Sequence, residues 1–123
     1  MTSKELVKTV VAALEDKKAF DIEIIDISNI SVLADYFIIA NGSNRTQVQA
    51  MVDNVQEMVE KTGDLSPARL EGYQAANWIL MDYRDVVIHI FDQESRDFYD
   101  LARIWRDGKH ITTEEQNDKS IIN

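Results

Sequence analysis

Residues Glu71–Tyr99, EGYQAANWILMDYRDVVIHIFDQESRDFY, decide the fold. Two apolar runs flank the tetrapeptide Asp82-Tyr83-Arg84-Asp85, and an Arg/Phe/Tyr-rich segment follows. The pattern reads as a β-hairpin. With Tyr83 and Arg84 as the turn, Asp82 faces Asp85, and Met81 pairs with Val86, Leu80 with Val87, Ile79 with Ile88 and Trp78 with His89. Side chains alternate between faces, so Ile79, Met81, Val86 and Ile88 share an apolar face that belongs to the core. The opposite face carries Trp78, Leu80, Asp82, Asp85, Val87 and His89. Large apolar groups rimmed by carboxylates have the composition of an interface hot spot. The alternative is that a helix covers this face and Trp78 is ordinary core. Arg96 and Tyr99, three apart on a helical turn, are placed either to line the same rim or to stand as a solvated Arg and a half-buried Tyr.

Working outward, Thr2-Ser3-Lys4-Glu5 offers a capping box. Leu6, Val7, Val10, Val11 and Leu14 then recur at helical spacing. Phe20, Ile22, Ile24 and Ile27 near-alternate, which predicts a strand with one wetter face. Asp35–Ala40 is almost unbroken apolar sequence, as expected of a central strand covered on both sides. Val48, Met51, Val52, Val55, Met58 and Val59 mark a second amphipathic helix, with Ser43 or Asn44 as N-cap and Gly63 just past its end. Residues 63–70, holding the only Pro, read as a loop. After the hairpin, Phe98, Leu101, Ala102 and Trp105 predict a short terminal helix, and residues 112–123 a mobile tail. The order is α-β-β-α-β-β-α. The fold class is α/β (α+β), a single mixed sheet with packed helices forming one domain over residues 1–111.

The bulk numbers bound the function. The 123 residues are 45% hydrophobic and 28% charged, in keeping with one globular domain. No apolar run approaches the roughly 20 residues of a membrane span, and the N-terminus lacks signal-peptide patterning, so the expected compartment is the cytoplasm. With no cysteine there is no disulfide, thiol nucleophile or thiolate metal ligand. A net charge of −9 repels a phosphate backbone and argues against autonomous nucleic-acid binding. It speeds encounter with a basic protein, or simply keeps the chain soluble.

Catalytic chemistry finds little support. Asn41-Gly42-Ser43 lies between a buried strand and a helix N-terminus, a position suited to an anion and one that opens nucleotidyltransferase active sites. That chemistry needs a nearby carboxylate pair for two metal ions, yet the next carboxylate is the solitary Asp53. A Gly turn with a Ser cap is the plainer reading. The two histidines, His89 and His110, have no spaced second ligand, and no G-x-S-x-G motif is present. The expectation is no catalytic set, no metal and no cofactor.

Several motifs together resemble the ribosomal silencing factor (Iojap-like) family. They are Asp35-Tyr36-Phe37 before a Gly turn, Glu71-Gly72, Trp78-x-Leu80-x-Asp82-Tyr83, His89-x-Phe91 and Arg96-x-Phe98-Tyr99-x-Leu101-x-x-x-Trp105. The resemblance covers roughly residues 5 to 110. It implies a nucleotidyltransferase-like fold without the catalytic carboxylates. It also implies a non-enzymatic role: binding the large ribosomal subunit through its basic ribosomal protein numbered fourteen, and sterically blocking the small subunit. Homodimers are a further implication. Trp78, Leu80, Asp82, Tyr83, His89, Arg96 and Tyr99 become the expected partner-binding residues. The alternatives are a nucleotidyltransferase-type enzyme using Gly42-Ser43, or an interaction module with a non-ribosomal partner. Two positions depart from the family: Arg84 stands where Gly is usual, and Ala102 where Glu is usual.

Overall fold

The computed structural model describes residues 1–97 and the backbone of 98 and 109–111. Helix α1 spans Ser3–Asp16, and Thr2 caps it by accepting from the Glu5 amide at 3.1 Å. Strand β1 is Phe20–Asp26 and β2 is Tyr36–Gly42; α2 follows over Arg45–Gly63. Its N-cap is Asn44, whose Oδ1 accepts from the Gln47 amide at 2.8 Å. Its left-handed C-cap is Asp64, so Gly63 closes the helix instead of following it. Asp, like Asn, tolerates that conformation through its short polar side chain.

Strand β3 (Arg69–Glu71) lies at the end of the stretch expected to be loop, β4 is Trp78–Asp82, β5 is Val86–Asp92, and α3 is Gln93–Phe98. A further short strand, β6, is Lys109–Ile111. The expected order is thus present, with two three-residue strands added. Residues Leu101–Trp105, expected to be helical, and the tail from 112 lie outside the described residues, as does Tyr99.

The sheet is mixed and six-stranded, in the order β3-β4-β5-β2-β1-β6. Strands β2 and β5 run parallel at its centre, and the other pairs are antiparallel. One face is covered by α1 and α2. Leu6, Val10, Leu14, Val48, Met51, Val52 and Val55 there bury against Ile24, Ile38, Ile79, Met81, Ile88 and Ile90. Gly42 lets α2 approach the sheet, because a Cβ there would sit 2.7 Å from Val48 Cγ2. The second face holds a smaller cluster of Ile25, Ile27, Ala34, Ile39 and Phe91. Ile25 and Ile27 make the β1 side of that face drier than its alternation predicted.

The hairpin register differs from expectation. Met81 pairs with Ile88, Leu80 with His89, Ile79 with Ile90 and Trp78 with Phe91, each displaced by two residues. The cause is the turn: Tyr83 N donates to Val86 O, which makes Arg84 and Asp85 its centre. Arg84 has φ +74° and Asp85 N donates back to Tyr83 O, a γ-turn nested in the hairpin. Asp82 therefore faces Val87, not Asp85. An even displacement leaves every side chain on its original face, so the division into core and opposite face stands.

Candidate functional site

The second face is organised in rows, because paired residues on neighbouring strands lie side by side. One row runs Trp78, Phe91, Asn41; the next Glu71, Leu80, His89, Ile39, Glu23; the third Arg69, Asp82, Val87, Phe37, Ile25. The row order places an aromatic cluster at one end. Trp78 stacks on Phe91 at 5.2 Å between centroids, and its Nε1 donates to His89 Nδ1 at 3.0 Å. Phe37 meets the His89 ring edge-on at 5.0 Å.

His89 is 5% exposed, and burial pushes its pKa down to about 4. It is neutral at physiological pH, with Nδ1 accepting from Trp78 and the proton on Nε2. Nε2 itself is buried with no hydrogen-bond partner. His89 is a structural imidazole that supports the wall of a cavity.

That cavity, about 450 Å³, opens between the second face and the β1–β2 loop. The sheet contributes Leu80, Asp82, Val87, His89 and Phe37; the loop contributes Ile27, Ser31, Leu33 and Ala34. Arg69 and Arg84 complete it. Arg69 lies 3.5 Å from Asp82 and 3.6 Å from Glu71, so its charge is shared between two carboxylates. Such half-exposed pairs add little stability. They hold the polar lip of an apolar cleft in place.

Of the residues expected to bind a partner, Leu80, Asp82 and His89 come together around this cavity. Trp78 stands behind it, half-buried, bracing His89. Tyr83 points the other way. It belongs to the helix-covered core at 7% exposure, and burial raises its hydroxyl to about 12. Arg96 occupies the β1 side of the face. Its guanidinium donates to Asn41 Oδ1 at 2.7 Å and to the Asp21 carbonyl at 3.1 Å, and pairs with Glu23 at 3.0 Å. A break in the β1 ladder between Phe20 and Glu23, with Asp21 at φ +51°, aims that carbonyl at Arg96. Arg96 is therefore engaged within the fold and lines a separate polar groove with Asp21, Glu23, Asn41, Gln93 and Asp97.

Sequence reasoning missed the loop wall. Ile30, Val32 and Leu33 are exposed there, and a segment without helical or strand periodicity offers no pattern that singles them out. The Asn41-Gly42-Ser43 turn is occupied by its own chain. Ser43 N donates to Gln47 Oε1 at 2.6 Å, and Asn44 caps the helix. Asp53 accepts from the Tyr73 hydroxyl at 2.9 Å. Among the described residues there is no group of three or more His, Asp or Glu able to hold a metal, and no helix long and apolar enough to cross a membrane.

The family model "Ribosomal silencing factor during starvation" matches residues 1–122. A ribosomal silencing factor of Halalkalibacterium halodurans is 36% identical over 114 residues, covering 93% of this chain and 97% of that protein. The Bacillus subtilis silencing factor is 37% identical over 108 residues, covering 88% and 91%. A crystal structure of a Chromobacterium violaceum protein superposes with a TM-score of 0.82 at 33% identity, covering 91% of this chain and 92% of that one. A family match over nearly the whole length, on the same fold, leaves one conclusion: the chain belongs to the ribosomal silencing factor family.

Proposed function

We propose that this protein silences ribosomes by docking on the large subunit and keeping the small subunit from joining. The partner is the basic ribosomal protein numbered fourteen, the site of action is the cytoplasm, and the role is non-enzymatic. The observation that carries the reading is the apolar cavity framed by Leu80, Phe37 and Val87 with Asp82 on its lip, on a chain of net charge −9. An apolar centre with a charged rim suits a protein partner. The net negative charge favours a basic one and disfavours bare RNA. Steric exclusion requires only affinity and bulk in the right place, and a standard interface of about 800 Å² per partner suffices. A homodimer is part of the same proposal and is checked by light scattering.

Sedimentation through a sucrose gradient tests it. The protein should travel with purified large subunits at low salt, release as ionic strength rises, and reduce subunit joining. Failure to comigrate, or unchanged joining, overturns the reading.

A further inference from the structure

Five large apolar residues are exposed among the described residues, and three of them, Ile30, Val32 and Leu33, lie within one short loop. Singly scattered exposed apolar side chains are ordinary; a cluster marks an interaction surface. Val32 is fully exposed and Leu33 is 85% exposed. Their exposure is built into the backbone. The Ile30 and Ser31 amides both donate to Ile27 O, at 3.0 and 2.9 Å, and Leu33 N donates to Ser31 Oγ at 3.1 Å. Ile27 and Ala34 are buried at the loop's two ends, so the residues between them are turned outward by an anchored frame.

The frame is also fixed relative to the hairpin. Ile27 N donates to Asp35 O at 2.9 Å, and the Asp35 and Tyr36 amides both donate to Asp85 O, at 2.7 and 3.1 Å. The loop thus stands at a set distance from the sheet, with the cavity between them, and Leu33 lines that cavity opposite Leu80 and Val87. Its charged lining is Asp82 with two guanidiniums, Arg69 and Arg84. Arg69 is already shared by Glu71 and Asp82.

We infer that residues 30–33 form the second wall of the docking cleft, where Val32 and Leu33 close on an apolar side chain of a basic protein partner. The occupant is an aliphatic or aromatic anchor of a basic protein: the anchor matches the apolar lining, and the partner's cations match the chain's net charge of −9. This inference rests on the function proposed above and adds to it a second contact element, distant in sequence from the hairpin.

The test uses the double variant Val32→Ser/Leu33→Ser of the full chain, with thermal unfolding, ultracentrifugation of the protein alone and co-sedimentation with purified large subunits. Both side chains are solvent-exposed, so the melting temperature should stay at the wild-type value, while affinity for large subunits falls at least about tenfold. If wild type and variant bind equally, the loop is not part of the interface. If the variant loses self-association while subunit binding is unchanged, the occupant is a second copy and the inference is overturned. If the wild type itself does not bind, it is the proposed function that fails.

Discussion

Trp78 Nε1 donates to His89 Nδ1 across 3.0 Å, and this bond sets the protonation of a buried histidine. An acceptor at Nδ1 places the single proton of the neutral ring on Nε2. Protonating Nδ1 would break the bond and bury a charge.

The pH dependence follows in sign. The folded pKa of His89, about 4, lies below the value of about 6.5 for an unfolded histidine, so the unfolded chain takes up the proton first as pH falls. The contribution is complete above about 6.5 and is lost as pH drops through the folded value, about 3 kcal/mol in all. A proton-NMR titration resolves it, since the chain has only two histidines. A His89 midpoint near the unfolded value would contradict the buried neutral ring.

Trp78→Ala is expected to weaken binding to large subunits by at least about 2 kcal/mol, through loss of the brace behind His89. Trp78→Phe keeps an aromatic ring on Phe91 and removes the N–H donor, costing about 1 kcal/mol of stability from the lost bond. Binding measured on the folded fraction separates the two effects. A folded Trp78→Ala protein that binds normally would confine Trp78 to the fold.

Arg96→Gln should destabilise the protein by about 2 kcal/mol, because it breaks a three-way contact with Asn41, Glu23 and the Asp21 carbonyl. The Glu23 side chain is 39% exposed, so solvent takes up part of its charge and the loss falls short of a fully buried pair. Urea unfolding measures it. Subunit affinity of the folded variant should be unchanged, and a fall in affinity at constant stability would place Arg96 in the interface after all.

Arg84→Gly should stabilise the protein by about 1 kcal/mol. Arg84 sits at φ +74°, where a side chain costs about 1–2 kcal/mol, and the greater freedom of Gly in the unfolded chain offsets part of the gain. The melting temperature should rise by about 4 °C. A fall would mean that the Arg84 side chain contributes more than its backbone strain.

The period-two alternation of residues 78–91 made both faces of the hairpin legible from the sequence, and the apolar run at Tyr36–Ala40 made the central strand legible. The register was not. It depends on a positive φ at residue 84, which a Gly would have signalled and an Arg conceals. Strand β3 is too short to display a period. The engagement of Arg96 depends on the irregular backbone at Asp21, whose residue type gives no warning of it. Within the site, Leu80, Asp82 and His89 followed from alternation alone. Val32 and Leu33 did not, since a loop has no repeat against which an apolar residue stands out.

One margin of the sheet is β3, a strand of three residues whose Arg69 and Glu71 are exposed. A visiting chain that tried to extend the sheet would find only a few main-chain groups to pair with, beside charged side chains that discourage such pairing. Recognition by strand addition is therefore disfavoured at the β3 margin. A partner gripping side chains on the flat of the sheet would meet a surface where a single altered residue changes the fit. The same short, charged edge discourages copies of the chain from joining edge to edge there.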